Sequence, residues 1–233
     1  MCGRFVQGHD SAFYADAFQV ETIRTDELPV SYNVAPTDVV YAVAEHDGER
    51  ILSSFRWGLI PWWAKDKKIG ARNINARAET VAEKPVFRDS LAKRRCLIPA
   101  DGFFEWKRQG KNRIPYYIRL KGQEPFAMAG LWEFWETPEG DELHSCAILT
   151  TSPNRLMQDL HDRMPVILPQ DAMKFWLDPE AAPEPAAGDL RPGRGATEQE
   201  PSLPRAVGGP DETEADGRWT LELEGLAAGR AEA

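Results

Sequence analysis

Cys2 is the residue of this 233-residue chain whose position most clearly suggests chemistry. If the initiator methionine is removed, which the small Cys2 side chain permits, one residue carries both an α-amine and a thiol. Such a 1,2-aminothiol condenses with an aldehyde to an imine, and the thiol then adds to the same carbon to close a thiazolidine. With reference pKa values of roughly 7.7–8.0 for the amine and 8.5 for the thiol, both nucleophiles are available near neutral pH. Cys2 is therefore a candidate for covalent catalysis on a carbonyl compound.

Three polar segments contain further candidate residues. Residues 73–79 combine short amides, including Asn75, with a guanidinium, residues 99–107 place Glu105 among aromatic residues, and residues 160–165 set His161 beside an aspartate and an arginine. Partial burial would raise the pKa of a carboxyl such as Glu105 and suit it to acid–base work. Each candidate also has a purely structural interpretation: a turn-former for Asn75, a partner of Lys107 or Arg108 for Glu105, and a helix-end residue for His161.

The charge of the chain is unevenly distributed. Overall, 28 basic residues stand against 37 acidic ones, a formal net charge of −9. Residues 56–121 nevertheless hold 17 basic and 6 acidic residues, together with Trp57, Trp62, Trp63 and Trp106. Clustered positive charge among flat aromatic rings is typical of a surface that attracts phosphates and stacks bases. The alternative is a solvated basic face above core tryptophans, and for any single tryptophan a core position is the expectation.

Several protein classes are disfavoured by composition. The three cysteines, Cys2, Cys96 and Cys146, are far apart and form no Cys-x-x-Cys pair, so the sequence supports neither a disulfide framework nor a cysteine zinc site. No apolar run approaches the roughly 18 residues of a transmembrane helix, and the first residues lack the apolar core of a signal peptide. Signatures for metals, flavins, nucleotides and phosphate loops are absent. We therefore predict a cytoplasmic protein without a cofactor.

Short runs rich in β-forming residues, bounded by turn signals, predict the elements that must position these side chains. Strands are predicted at residues 39–44, 51–57, 96–106, 115–120, 126–132 and 143–150, and short helices at 11–18, 86–94, 154–160 and 171–177. This order predicts an α+β fold, a single compact domain with a twisted, mostly antiparallel β core over residues 1–178. Residues 179–233, with 5 basic and 12 acidic residues and much Ala, Pro, Gly and Glu, are predicted to be a largely disordered tail, with candidate short strands at 203–207 and 219–223.

Six motifs in a fixed order resemble those of one known family. They are Met-Cys-Gly-Arg-Phe at 1–5, Tyr-Asn-Val-Ala-Pro at 32–36, Trp-Gly-Leu-Ile-Pro-Trp-Trp at 57–63, Asn-Ala-Arg-Ala-Glu-Thr at 75–80, Asp-Gly-Phe-Phe-Glu-Trp-Lys at 101–107 and His-Asp-Arg-Met-Pro at 161–165. The chain resembles the SOS-response-associated peptidase (SRAP) family of abasic-site processing proteins from residue 1 to about residue 178. The resemblance implies a compact β fold with a positive groove for single-stranded DNA.

The resemblance also implies a role for each matching residue. Cys2 would form a thiazolidine crosslink with the ring-opened aldehyde of an abasic deoxyribose, Asn75 would orient the sugar, and Glu105 and His161 would transfer protons. Phosphates and the floor of the strand groove would be contacted by Arg4, Arg77, Arg163, Asn33, Pro36, Trp62 and Trp63. The implied partners are single-stranded DNA containing abasic sites and replication-fork proteins, and the implied state is a monomer that is nucleoid-associated when bound to DNA.

The chain departs from the family pattern near its end. After Arg205-Ala-Val-Gly, where the family usually continues with an asparagine-bearing segment and a closing strand, the acidic run 209–214 follows. Either the tail has diverged or the reading frame has shifted. Loss of a closing strand would expose a sheet edge.

Other functions remain compatible with the sequence. An N-terminal-nucleophile amidotransferase or hydrolase also begins with a processed cysteine. The family name records a peptidase activity, which we interpret as removal of Met1 from the chain itself, and imine chemistry allows a weak lyase activity. The basic, tryptophan-rich segment alone is compatible with a non-covalent single-strand binder.

Overall fold

The computed structural model describes residues 2–181 and the backbone of residues 219–222. The strands, in chain order, are β1 Phe5–Gln7, β2 Thr22–Ile23, β3 Ser31–Val34, β4 Val39–His46, β5 Glu49–Trp57, β6 Asn75–Arg77, β7 Arg95–Ala100, β8 Gly102–Gln109, β9 Asn112–Leu120, β10 Phe126–Glu136, β11 Glu142–Thr151, β12 Met164–Pro165, β13 Ile167–Leu168 and β14 Trp219–Glu222. The helices are α1 Ser11–Ala17, α2 Pro85–Lys93 and α3 Gln170–Leu177, with a 3-10 helix at Lys67–Arg72. Among the described helices none is long and apolar enough to cross a bilayer.

Five long strands close on one another to form a barrel. β11 pairs with β10, β10 with β7, β7 with β4 and β4 with β5, all antiparallel. The ring is completed by a parallel pairing of β5 with β11, in which Trp57 lies opposite Cys146. Closure removes the free edges that these strands would otherwise expose.

The two faces of the barrel strands bury different sets of side chains. One face, with Tyr41 and Leu97, packs against residues of all three helices, such as Phe87 of α2. The opposite face, with Cys96 and Ile148, is also buried. Since helices cannot fit inside a ring of five strands, this second set lines the interior.

A second sheet of five strands carries the start of the chain. Its order is β14-β9-β8-β1-β3. Phe5 of β1 and Phe103 of β8 lie opposite each other and pack into the same cluster as the barrel interior. The amino-terminal segment is thereby held against the barrel.

Part of the predicted tail completes this second sheet. The backbone of β14 pairs antiparallel with β9, with Trp219 opposite Leu120. The candidate short strand at 219–223 is therefore confirmed, and β14 covers the edge of β9. The predicted strand at 203–207 lies outside the described residues, and the domain boundary at residue 178 stays a prediction.

The six predicted core strands are confirmed, with one division. Residues 96–106 form two strands because the chain leaves the barrel after β7 and enters the second sheet as β8. Asp101 lies at this crossing, where its Oδ2 accepts hydrogen bonds from the Gly8 N–H at 2.6 Å and the Tyr14 hydroxyl at 2.8 Å. The α+β expectation holds in a coarse sense, since the described fold is mostly β with three short helices.

The helix predicted at residues 154–160 is wrong. This segment is a series of turns. The Oδ1 of Asn154 accepts a hydrogen bond from the Met157 N–H at 2.9 Å, as at a helix start. The backbone bonds that follow, from Gln158 to Asn154 and from His161 to Met157, form single turns and not a continuous helical ladder, because the segment is too short to propagate one. His161 therefore follows a turn instead of ending a helix.

Arg95 ties the end of the described domain to the barrel. Its buried guanidinium donates hydrogen bonds to the backbone oxygens of Trp176, Leu91, Asp178 and Ala181. Burial also lowers the pKa of this guanidinium, which the charge of Asp178 opposes.

We expect Arg95→Ala to destabilise the protein by about 3 kcal/mol, because several buried carbonyls lose a charged donor. Urea unfolding measures the change. Arg88→Ala, which removes an exposed arginine of α2, is the matched control and should change the free energy of unfolding by less than about 0.5 kcal/mol. Equal effects of the two substitutions would contradict this role for Arg95.

Candidate functional site

Cys2 is buried beside the start of β6. The Nδ2 of Asn75, the first residue of that strand, donates a hydrogen bond to the Cys2 backbone oxygen at 3.0 Å. β6 is placed by its parallel pairing with β11, in which Asn75 lies opposite Ile148. The barrel thus positions an amide, 73 residues away in sequence, directly against the residue that follows Met1.

The second polar atom of the Asn75 side chain, its amide oxygen Oδ1, is buried and makes no hydrogen bond within the described residues. Leaving an acceptor in this state costs free energy that a ligand donor recovers. A hydroxyl group bound beside Cys2 is the kind of group that fits.

Glu105 brings a buried carboxyl to the same place. Along β8, Phe103 and Glu105 are buried, whereas Phe104 and Trp106 on the alternate face are partly exposed. Burial raises the pKa of Glu105, and the positive charges of the amino terminus and of His161 act in the opposite direction. A carboxyl that retains its proton to higher pH than usual suits proton donation.

The Cys2 thiol is influenced by the same carboxyl. Burial raises its pKa, and the negative charge of Glu105 raises it further. The thiol is therefore protonated at neutral pH. The amine, and not the sulfur, is the group expected to react first with an electrophile.

His161 completes the group through its electrostatic contact with Glu105. The Nδ1 of its half-buried ring lies 3.0 Å from the Arg163 backbone N–H, which can donate to a neutral Nδ1, and 2.8 Å from Asp162 Oδ1, which can accept from a protonated one. Each protonation state of Nδ1 therefore has a partner. Such a ring is suited to exchanging protons with little change of position.

Arg4 and Asn33 form a pair at the edge of the second sheet. Arg4 Nη1 donates a hydrogen bond to Asn33 Oδ1 at 3.1 Å. Pro36 lies in the loop that follows β3, and the next residue, Thr37, has a φ of 81°, an uncommon conformation for a β-branched side chain. A hydrogen bond from the Thr37 N–H to the Trp57 backbone oxygen, at 2.8 Å, stabilises this strained conformation. The predicted groove residues at this edge therefore sit on a tightly held loop.

Arg163 is engaged within the protein. It makes a bidentate ion pair with Glu79, with N–O distances of 2.7 and 2.8 Å, and donates a hydrogen bond to the Thr150 backbone oxygen at 2.6 Å. A phosphate contact by this guanidinium would have to share it with Glu79. Arg77, which ends β6, is exposed.

Trp62 and Trp63 lie in a turn and are exposed to solvent. They are 58% and 46% exposed, whereas Trp57 is fully buried. The base of the loop is rigid because Gly58, with a φ of 134°, packs its backbone against that of Gly70, where a Cβ on Gly58 would lie 2.7 Å from the Gly70 oxygen. Two adjacent exposed indoles on a fixed loop offer flat surfaces for stacking.

The structure brings together the four predicted chemical residues, and the predicted binding residues lie on three parts of the fold. Those parts are the edge with Arg4, Asn33 and Pro36, the strand and ion pair with Arg77 and Arg163, and the loop with Trp62 and Trp63. Sequence reasoning missed Glu79 as the partner of Arg163 and the strain at Thr37. The contact with Glu79 spans 84 residues and has no local signal. Within residues 2–181 no three His, Cys, Asp or Glu side chains are grouped so as to hold a metal ion.

Comparison with known proteins places this site in a wider context. A family described as SOS response associated peptidase (SRAP) matches residues 1–203. A protein of Bacillus subtilis named abasic site processing protein YoqW is 50% identical over 182 residues, covering 77% of this chain and 81% of the relative. The abasic site processing protein HMCES of Xenopus tropicalis is 36% identical over 185 residues, covering 66% of this chain and 55% of that protein.

Solved structures show the same fold. A crystal structure of a protein from Bacteroides thetaiotaomicron, 31% identical in sequence, superposes with a TM-score of 0.73 over 80% of this chain and 85% of that one.

Proposed function

Since the chain belongs to the SOS response associated peptidase (SRAP) family, we propose that it processes abasic sites in single-stranded DNA by forming a covalent crosslink through Cys2. The observation that carries this proposal is the convergence of Cys2, Asn75 and Glu105, with His161 beside them, in a chain half-identical to an abasic site processing protein. The proposal includes removal of Met1, which frees the α-amine of Cys2.

The crosslink would form in two steps. The α-amine attacks the C1′ aldehyde of the open deoxyribose; a C–N bond forms, and the carbonyl oxygen leaves as water to give an imine. The Cys2 sulfur then adds to the imine carbon; an S–C bond forms, and the thiol proton is transferred to the nitrogen. The product is a five-membered thiazolidine. A raised thiol pKa fits this order, because the sulfur stays protonated while the amine acts.

Glu105 and His161 would move the protons that these steps need. Opening of the sugar ring and loss of water both require a proton on oxygen, and a buried carboxyl with a raised pKa can donate one. His161, whose Nδ1 has a partner in either protonation state, would return the proton to Glu105. If the sulfur fails to capture the imine, the same intermediate permits strand cleavage, which would appear as a weak lyase activity.

DNA would be held by charge and stacking. Arg4, Arg77 and Arg163 would contact phosphates, and Asn33, Pro36, Trp62 and Trp63 would form the floor of the groove. These contacts carry no base information, which suits a protein that must bind a lesion in any sequence context. An abasic nucleotide also has no base to unstack, so its sugar reaches a pocket at little cost. Replication-fork partners, a monomeric state and a cytoplasmic or nucleoid location remain part of this proposal.

Asn75 would hold the sugar through its buried oxygen. We expect Asn75→Ala to slow crosslinking about tenfold, which corresponds to the loss of roughly one hydrogen bond in the reacting complex. Single-turnover capture of an abasic oligonucleotide measures the rate. Asn73→Ala, which removes a hydrogen bond from the Asn73 amide to the Leu59 oxygen, is the matched control and should leave the rate within about twofold. Equal rates in the Asn75→Ala and unaltered proteins would exclude this role.

The decisive experiment follows the mass of the protein. Purified protein is incubated with single-stranded DNA containing an abasic site, and intact mass is recorded before and after. We expect loss of Met1 before the reaction, and afterwards a heat-stable adduct equal to protein plus oligonucleotide minus one water. An unprocessed amino terminus or the absence of an adduct would overturn the proposal.

Two further measurements distinguish the alternative functions from covalent capture. An N-terminal-nucleophile amidotransferase would release ammonia from glutamine without any aldehyde. A non-covalent binder would be indifferent to the abasic site, and high salt would release its DNA.

A further inference from the structure

A groove lies on the face of the second sheet that is opposite Glu105. Its volume is about 370 Å³, near the lower end of the roughly 300–1,000 Å³ typical of small-ligand sites. Along β8, Glu105 is buried toward the core, whereas Phe104 lines the groove on the other face. The groove is therefore separate from the group of side chains around Cys2.

Aromatic rings form the walls of this groove. The rings of Phe104 and Tyr117, on adjacent strands, have centroids 5.0 Å apart and planes inclined by 34°. The Tyr117 ring packs closely against Gly102, where a Cβ would come within 2.4 Å of the ring. On the other side Tyr32, 71% exposed, leans over Gly8. One exposed ring and two half-buried rings along a groove of paired strands favour a flat ligand.

A carboxylate oxygen at the base of the groove lacks a hydrogen-bond donor. Asp101 Oδ2 accepts hydrogen bonds from the Gly8 N–H and the Tyr14 hydroxyl. Asp101 Oδ1 is buried and has no hydrogen-bond partner in the described part of the chain, its nearest ionic neighbour being His9 Nε2 at 3.8 Å. A buried carboxylate oxygen in this state favours a ligand that carries an N–H group.

A cationic side chain adds to this arrangement. Arg119 of β9 also lines the groove. A flat ring, an N–H donor and a nearby negative group together describe a nucleotide.

We propose that this groove binds a nucleobase with an exocyclic amino group, taken from the same single strand that carries the lesion. The base would stack on Tyr32 and Phe104 and donate its amino N–H to Asp101 Oδ1. Cytosine fits this requirement, whereas thymine presents its O4 acceptor to the carboxylate. The inference rests on the proposed function, because the strand would arrive across β3, where Asn33 follows Tyr32 in the chain and accepts a hydrogen bond from Arg4.

The test compares oligodeoxycytidylate with oligothymidylate of equal length and without any abasic site. Fluorescence anisotropy should show about tenfold tighter binding of the cytosine strand, since one hydrogen bond to a charged acceptor distinguishes the two. Equal affinities would overturn the proposal. Deoxycytidine and deoxythymidine monophosphates serve as second probes, and discrimination between these alone, with none between the strands, would overturn the assignment to a strand.

Asp101→Asn provides a sharper variant. The Asn oxygen can keep the hydrogen bonds from Gly8 and Tyr14, while its NH₂ group replaces the acceptor at Oδ1. The preference should therefore invert in favour of thymine, and an unchanged preference in a folded variant would contradict the proposal. If this variant does not fold, the exposed Tyr32→Ala substitution still decides the matter: it should weaken binding of the cytosine strand several-fold through lost stacking, and undiminished binding would exclude the groove.

Capture of an abasic oligonucleotide is measured in parallel. Capture without discrimination between cytosine and thymine would overturn only the groove. Discrimination without capture would overturn only the crosslinking proposal.

Discussion

Replacing Cys2 by alanine is expected to abolish heat-stable capture of abasic DNA, with a fall of at least about a thousandfold in the rate of adduct formation. The α-amine remains in this variant and can still form an imine, but no sulfur is present to close the ring. The imine hydrolyses on heating. A denaturing gel after heating measures the loss, and reduction by borohydride before heating should restore a band by trapping the imine.

The other two thiols provide the matched controls. Cys96 and Cys146 are fully buried in the barrel interior. Cys96→Ala and Cys146→Ala should leave capture within about twofold while lowering stability by about 1 kcal/mol each. A stable adduct formed by the Cys2→Ala protein, or one lost only in the control variants, would place the nucleophile elsewhere.

Glu105→Gln is expected to slow crosslinking by about a hundredfold to a thousandfold, the range of a lost general acid. The glutamine amide keeps the size of the side chain but has no acidic proton to donate. The effect should depend on pH: in the unaltered protein the rate falls at high pH as the raised pKa of Glu105 is passed, and this fall should be absent in the variant. Rates measured from acid to alkaline pH provide the test.

The same substitution should stabilise the fold. Because the pKa of Glu105 is raised in the folded state, the folded protein binds this proton more tightly than the unfolded chain does. Stability contributed by the protonated carboxyl is present at low pH and is lost as pH rises from the unfolded pKa through the folded one. Thermal unfolding should therefore show Glu105→Gln more stable than the unaltered protein at neutral pH, with the difference vanishing in acid.

Glu83→Gln is the matched control for both measurements. Glu83 is an exposed carboxylate in the turn before α2. The variant should match the unaltered protein in rate and stability. A Glu105→Gln protein that is slow but has an unchanged pH profile would indicate that Glu105 only positions its neighbours.

The local features of the chain were predictable because they depend on neighbouring residues. The strands follow from short runs of β-forming residues bounded by turn signals, and at Asp101 a single such run serves two sheets. The error at residues 154–160 has the same origin, because the local pattern there, with the Met157 N–H donating to Asn154 Oδ1, suits a single turn as well as the start of a helix. The six ordered motifs indicated the candidate chemical residues but not their mutual contacts.

Amino-acid identity alone determined what Cys2 can do, since an α-amine and a thiol on one residue are a property of covalent structure. It determined equally that Trp62 and Trp63 are adjacent in any conformation. Only the tertiary structure decided that Trp57 is buried while those two are exposed, that the Asn75 amide reaches Cys2, and that Arg163 pairs with Glu79. The physical reason is barrel closure: the parallel pairing of β5 with β11 joins segments almost ninety residues apart, and no local pattern encodes a contact of that range.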